Sequence, residues 1–264
     1  MTGKKELQEM LDFAISITTS SGAIARRYFR TSLDVRSKSA HDYDPVTEAD
    51  RNIEIYLRKK IHQQYPNHGI IGEEQGVKKG TRYTWVIDPI DGTRGFISGS
   101  PMWGSLLGLM ENKRPVLGLM HQPFIRETFY ASSAGAWWKE GKNISRLKSR
   151  NTAEIGDTIL YCTHPSMFSS KKELKAFNLV EKQCRYSRYG ADCYGYCLLA
   201  AGYVDIVIEA DLKAYDIIPL IPIIKASGGV ITDWQGKQPL KGGRVIAAAN
   251  KKLHRQAISL LNSI

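Results

Sequence analysis

Two aspartates three residues apart, Asp88 and Asp91, close the segment Trp85-Val-Ile-Asp88-Pro89-Ile90-Asp91-Gly92-Thr93, whose Val86 and Ile87 read as a buried strand. Carboxylates at the end of such a strand repel each other and lose hydration, so they need a counter-ion, and a metal cation is the simplest one. Gly72-Glu73-Glu74 upstream, and Tyr215-Asp216 at the head of a later apolar run, offer more carboxylates. The set contains neither histidine nor cysteine. That suits magnesium, which takes octahedral oxygen ligands, keeps several waters and is usually completed by a substrate phosphate. Pro89 is expected to stop the strand, and Gly92 to let backbone N–H groups around Thr93 approach a phosphate oxygen closely.

These residues need a scaffold that holds them. A chain of 264 residues can bury a sizeable core and suits one compact unit of two subdomains. Leu7, Met10, Leu11, Ala14, Ile15 and Ile17 recur at helical spacing, and Thr47 to Gln64 repeats the pattern with Ile53, Ile55, Tyr56, Leu57 and Ile61. Both helices should pack on a sheet. Leu106–Leu109, Val116–His121 and Glu127–Ala131, separated by turn residues, predict an antiparallel meander. Beyond a polar stretch at Ser145–Thr158 the order becomes α/β: strand Thr158–Cys162, helix Lys171–Lys182, strand Arg185–Ser187, helix Asp192–Ala201 and strand Val204–Glu209. A helix over Asp216–Ser227, strands Val230–Thr232 and Val245–Ala248 and a closing helix to Leu261 complete it. The expected division is 1–145, with most metal ligands, and 146–264, with the substrate contacts and the last metal aspartate.

Composition narrows the function classes. No apolar stretch is long enough to span a bilayer, and Met1-Thr-Gly-Lys-Lys-Glu6 is charged rather than signal-like, so no membrane and a cytoplasmic location are expected. The four cysteines form no Cys-x-x-Cys pair and read as reduced structural thiols. A net charge of +11 raises a non-catalytic RNA-associated protein as a reading from another class, but the cations are scattered over polar helix faces with no basic block interleaved with aromatics. No nucleic acid is required, and the surplus charge can draw in an anionic substrate.

The motifs Asp44-Pro-Val-Thr-Glu-Ala-Asp50-Arg51, Gly72-Glu73-Glu74, Asp88-Pro-Ile-Asp91-Gly-Thr93 and Tyr215-Asp216, with Gly228-Gly229 behind, occur in an order that resembles the inositol monophosphatase superfamily over nearly the whole chain. Gly95-Phe-Ile-Ser-Gly-Ser-Pro-Met-Trp-Gly104, Tyr189-Gly-Ala-Asp192-Cys-Tyr-Gly-Tyr196 and Ile231-Thr-Asp-Trp-Gln-Gly236 look closest to its histidinol-phosphate phosphatase branch. The resemblance implies a layered αβαβα sandwich of the inositol monophosphatase and fructose-bisphosphatase type. It implies one magnesium ion on Glu73, Asp88 and the Ile90 carbonyl, a second on Asp88, Asp91 and Asp216, and room for a third near Glu73 and Asp50. It also implies a homodimer.

The chemistry implied is hydrolysis of a small phosphomonoester by metal-activated water, oriented by the Thr93 hydroxyl with Asp50 behind it and Glu73 beside. Gly92 and Thr93 would hold the phosphate, with Asp216 near the leaving oxygen. Asp192 and Glu209 would face the leaving group, as a cationic substrate such as L-histidinol phosphate needs, which would place the enzyme in histidine biosynthesis. Inositol-1-phosphate or another sugar or nucleotide phosphate is the alternative. Where relatives carry Trp before the last metal aspartate, this chain has Tyr215, expected to wall the site. Taken singly, Asp192 and Asp216 also read as helix N-caps, and Thr93 as a capping residue. Other phosphatase mechanisms fit less well: two residues, not the one of an Asp-x-Asp nucleophile–acid pair, separate Asp88 from Asp91, and there is no Cys-x5-Arg, no Arg-His-Gly and no Gly-x4-Gly-Lys-Ser/Thr.

Overall fold

In the computed structural model, residues 3–32, 36–37 and 45–264 are described. Asp44, the first acidic residue of the N-terminal motif, lies outside them. Helix α1 (Lys4–Tyr28) buries Leu7, Met10, Leu11, Ala14 and Ile17 along one stripe. A two-stranded pair, β1 (Arg36–Ser37) and β2 (Pro45–Val46), leads into α2 (Glu48–Gln64). This second helix starts at a capping box: Thr47 accepts from the Ala49 N–H, and Asp50 accepts the Thr47 N–H at 2.9 Å.

The strands that follow are β3 (Gly69–Gly72), β4 (Gly76–Lys78), β5 (Tyr83–Asp91) and, after the short helix α3 (Thr93–Ser98), β6 (Gly104–Glu111). Strands β7 (Arg114–Gln122), β8 (Glu127–Ser132), β9 (Gly135–Glu140) and β10 (Asn143–Arg146) complete an eight-stranded sheet of order β10-β9-β8-β7-β6-β5-β3-β4. From β6 to β10 it is the expected antiparallel meander; β3 joins β5 in parallel.

The second half builds β11 (Ile159–Cys162), α4 (Lys171–Glu181), β12 (Tyr186–Tyr189), α5 (Asp192–Ala200) and β13 (Ile206–Leu212). Helices α6 (Ala214–Ile217) and α7 (Leu220–Ala226) precede β14 (Val230–Asp233), β15 (Gly243–Ala248) and α8 (Lys251–Leu261). Its five strands run in the order β12-β11-β13-β15-β14.

Burial sets the layering. Ile53 and Leu57 of α2 and Leu11 of α1 pack with Trp85, Ile87 and Leu107 on one face of the large sheet. On the other face Leu106, Met120 and Phe129 meet Cys193, Tyr196 and Cys197 of α5 and Leu220 to Ile224 of α7, which also cover Val207 and Ile231 of the small sheet. Phe177 of α4 and Ala257 of α8 close the far side over Ile206 and Ile246. The result is an α/β sandwich of five layers, αβαβα. The four cysteines carry free thiols. Among the described residues no helix is long and apolar enough to cross a membrane.

Two expectations change. Strand β5 does not stop at Pro89; it runs to Asp91, with its register against β6 shifting between Asp88 and Asp91. A bulge is where a sheet tolerates a proline, because the missing N–H falls at an interrupted ladder position. The helix expected over Asp216–Ser227 is broken into α6 and α7 at Pro219, which has no N–H to give and whose ring would strike the carbonyl four residues back.

Candidate active site

The bulge in β5 aims Asp88 and Asp91 at the edge where α6 arrives. One carboxylate oxygen from each of Asp88, Asp91 and Asp216 lies within 4.8 Å of the others. Asp88 is 2% exposed, and its Oδ1 is buried without a hydrogen-bond partner. Burial, followed by the charges of Glu73, Asp91 and Asp216, drives the Asp88 carboxyl well above the ordinary carboxylate range. Asp91 is driven up by burial and by Asp192 and Asp216, although the Cys193 N–H donates to its Oδ2 at 2.6 Å. The Asp216 carboxyl rises to about 7, through burial first, against a backbone bond from Lys213 and with Glu73 and Glu209 pushing the same way. Mutual repulsion of carboxylates held this close, one of them buried, is what a bound cation removes, and an all-oxygen set suits a hard ion. The residues present therefore fit a divalent metal.

Asp216 is not a helix N-cap. It is the third residue of α6, accepting the Lys213 N–H at 2.7 Å in a capping box, so the helix start fixes one of its oxygens. Its neighbour Tyr215 packs with Val86, Met110 and Ile218 and is not among the residues lining the adjacent cavity, because consecutive helical residues point about 100° apart.

Glu73 opens the turn after β3. Its N–H donates to the Ile87 carbonyl at 3.3 Å, and a hydrogen bond between the Glu73 and Asp88 side chains favours protonated Asp88. Thr93 Oγ1 donates to the Ile90 carbonyl at 2.9 Å, while Asp50 takes the Thr47 hydroxyl at 2.5 Å. Burial raises the Asp50 carboxyl to about 7, with Glu73 and Glu74 adding to the rise and the Thr47 bonds opposing it. Gly92 takes φ +82, and a Cβ there would lie 2.8 Å from the Met102 carbonyl and 3.2 Å from the Asp192 side chain, so only glycine fits where α3 meets α5.

Beside the acidic trio is a cavity of about 50 Å³ whose walls include Asp91, Thr163, Asp192, Tyr196, Glu209 and Asp216. Asp192 has φ +47 and is the first residue of α5, whose cap is Ala191 with no side-chain bond; the capping role does not apply. Burial and Glu209 raise its carboxyl to about 7, opposed by Arg94. Glu209 reaches the same wall but is engaged: Oε1 accepts the Thr163 N–H at 3.0 Å and the Thr163 hydroxyl at 2.5 Å, and Oε2 accepts the Tyr196 hydroxyl at 3.0 Å. Thr163, Tyr196 and Arg94 are contributors that sequence reading did not single out. Tyr196 lay inside a quoted motif, but the Thr163–Glu209 pair spans 46 positions and has no local signature.

The profile of the inositol monophosphatase family matches residues 6–264. The chain is 38% identical to the chloroplastic bifunctional phosphatase IMPL2 of Arabidopsis thaliana, over 97% of this chain and 76% of that one. It is 31% identical to the histidinol-phosphatase of Mycobacterium tuberculosis, over 96% of this chain and 98% of the relative. Among solved structures, an inositol monophosphatase from Zymomonas mobilis superposes with a TM-score of 0.86 at 33% identity, covering 96% of this chain and 98% of that one.

Proposed function

We propose that this chain, which belongs to the inositol monophosphatase family, hydrolyses a small phosphomonoester with the aid of magnesium, and that L-histidinol phosphate is its substrate. The observation that carries the reaction is the trio Asp88, Asp91 and Asp216, with oxygens within 4.8 Å of one another and a buried Asp88 oxygen that no protein donor meets. Glu73, Asp88, Asp91, Asp216 and the Ile90 carbonyl would hold two ions, with Asp50 and Glu73 offering oxygens to a third. Magnesium there supplies positive charge against the attacking and leaving oxygens and lowers the pKa of water.

The protein's own groups do the rest. Thr93, its hydrogen directed to Ile90, has lone pairs to accept a proton of the attacking water and fix its approach to phosphorus. Asp50, raised to about 7, suits proton transfer near neutrality. Glycine at 92 leaves the backbone N–H groups of Gly92 and Thr93 accessible to phosphate oxygens. As the water oxygen bonds to phosphorus, the ester P–O bond breaks and the leaving alkoxide takes a proton from solvent beside Asp216.

The substrate follows from the second wall. Metal and phosphate contacts serve any phosphomonoester, so choice falls on the leaving-group side. There Asp192 and Glu209 add negative charge beyond what the metals need, complementary to the ammonium and imidazole of histidinol. The names of several relatives at about this identity agree. The resemblance further supports a cytoplasmic homodimer in histidine biosynthesis, with residues 1–145 supplying most metal ligands and 146–264 the leaving-group wall. Phosphate release from L-histidinol phosphate and from myo-inositol 1-phosphate, with magnesium and with excess EDTA, tests both levels. The expected result is higher kcat/KM on histidinol phosphate and none on either ester in EDTA. Higher kcat/KM on the inositol ester, the second reading favoured by the Zymomonas mobilis structure, would overturn the substrate; full activity in EDTA would overturn the mechanism.

A further inference from the structure

Outside the acidic trio, a heavily engaged carboxylate beneath the site is Glu54, on α2. It is 0% exposed and makes no contact with the cavity. Its two oxygens are divided between donors on the turn that joins β3 to β4: Oε2 accepts the Glu74 N–H at 2.7 Å and Oε1 accepts the Gln75 N–H at 3.0 Å. Arg58, one helical turn on, donates its Nε to Oε1 at 2.6 Å and an Nη2 hydrogen to the Gly76 carbonyl. One ion pair thus takes hold of three successive backbone groups, Glu74, Gln75 and Gly76. The residue before them is Glu73. Gly72 pairs with Ile87, and Glu73 bonds the Ile87 carbonyl, so the turn delivers the Glu73 carboxylate beside Asp88.

We infer that Glu54, braced by Arg58, is a positioning residue for the metal site, fixing the turn that presents Glu73. The inference rests on the reading of Glu73 as a metal ligand. Two features favour positioning over plain helix-to-hairpin packing. Glu54 is fully buried while Arg58 is partly exposed, and a buried carboxylate adds little stability over an apolar side chain of the same volume, so its worth here lies in the direction it gives the turn's N–H groups. And the approach needs a bare backbone: a Cβ on Gly72 would lie 2.1 Å from Glu54 Oε1 and 2.6 Å from Arg58 Nη2. Space is kept at Gly72 so that the carboxylate can reach the turn from beneath.

A glutamine at 54 cannot do the same. It has one acceptor oxygen, its NH2 would face a second N–H, and Arg58 would lose its partner. Second-layer groups of this kind change metal affinity by roughly 10–100-fold when removed. The test is a double-mutant cycle read by calorimetric titration with Mn2+ alone, with no substrate present. Glu54→Gln should weaken Mn2+ binding about tenfold or more, Glu73→Gln should weaken it at least as much, and the double variant should be no weaker than Glu73→Gln. Additive losses would mean that Glu54 acts as a distant charge, and would overturn the inference. So would unchanged affinity in Glu54→Gln when Glu73→Gln binds weakly. If Glu73→Gln itself binds Mn2+ normally, the fault lies with Glu73 as a ligand. Should Glu54→Gln fail to fold, Arg58→Lys replaces it in the cycle: it keeps the charge but loses the fork to Glu54 and Gly76, and normal Mn2+ affinity in that variant would sink the proposal.

Discussion

Asp88 and Asp205 are buried almost equally, at 2% and 0% exposure, yet the protein treats them in opposite ways. Asp205, at the base of the small sheet, receives Arg150 Nη1 at 2.9 Å, the Thr152 hydroxyl at 2.6 Å and the Ile159 N–H at 2.9 Å. Asp88, at the end of β5, has one oxygen with no donor and three carboxylates pressing on it. A carboxylate supplied with protein donors belongs to the scaffold; one surrounded by other carboxylates is arranged for a cation from outside. The contrast separates structural from functional acid more sharply than burial does.

Substitution at the two positions should produce opposite phenotypes. Asp88→Asn is expected to lower kcat roughly a thousandfold or more, because it removes the carboxylate central to the trio. It should leave the metal-free melting temperature in place or raise it, since the lost charge was uncompensated. Paired measurements of phosphate release and metal-free thermal unfolding check this, and a large drop in melting temperature would place Asp88 with the structural acids.

Asp205→Asn should do the reverse. Weakening the bonds that buried Asp205 accepts from Thr152, Ile159 and the part-exposed Arg150 is expected to cost about 1–2 kcal/mol, with Mn2+ affinity per folded molecule preserved. Urea unfolding reads the first effect and calorimetry the second. Loss of metal binding at unchanged stability would erase the distinction.

The contrast also has a pH signature. Asp50 and Asp216 are raised from 3.8 to about 7, and Asp88 and Asp91 are raised as well. Between about pH 4 and 7 the metal-free folded state therefore holds more protons than the unfolded chain, so stability must fall as pH rises through that window. His121, buried and lowered from 6.5 to about 4, acts in the other sense: the unfolded state holds its proton more readily, so its contribution grows as pH rises from 4 to 6.5. His68 and His254 are lowered too, but Asp192, at about 7, and Glu127 and Glu209 are raised, so the carboxyls outnumber the histidines and metal-free protein should lose melting temperature from pH 5 to 8. Saturating magnesium should abolish that decline by keeping the carboxylates ionised. A decline of equal slope with and without magnesium would mean that these acids do not hold the ion.

What could be read from the sequence was whatever lies close together along it. Asp88, Asp91, Gly92 and Thr93 fall within one strand and its exit, and periodic helices and the meander announce themselves through spacing of two or 3.6. The route of β5 through Pro89 was hidden because a bulge depends on the partner strand, and the break at Pro219 because the apolar pattern runs on across it. Glu209 was legible as a candidate, but Asp205, Glu54 and the bonds that Thr163 and Tyr196 give to Glu209 were not. Each involves a polar group whose partners come from other elements, and a lone acidic residue in an apolar run does not say which donors will meet it.

The same distinction between supplied and unsupplied acids divides the leaving-group wall. Glu209 has three protein donors, which leaves one lone-pair direction, on Oε2, so Glu209→Gln should act mainly by lowering stability, with a smaller loss of kcat/KM on the cationic ester than Asp192→Asn gives. Asp192 caps no helix and faces the cavity. Its φ of +47 is one that asparagine tolerates about as well as aspartate, so Asp192→Asn removes the charge without straining the turn or releasing the Cys193 N–H from Asp91. If it meets the ammonium or imidazole of the leaving group, its loss should raise KM for L-histidinol phosphate about tenfold, the worth of one charge-assisted hydrogen bond. For a neutral-alcohol ester such as myo-inositol 1-phosphate the change should stay within about twofold, with the melting temperature unmoved. Steady-state kinetics on the two esters, beside a thermal melt, decide it. Equal losses on both would show that Asp192 serves the metal site through Asp91, and would move the choice of substrate away from this wall.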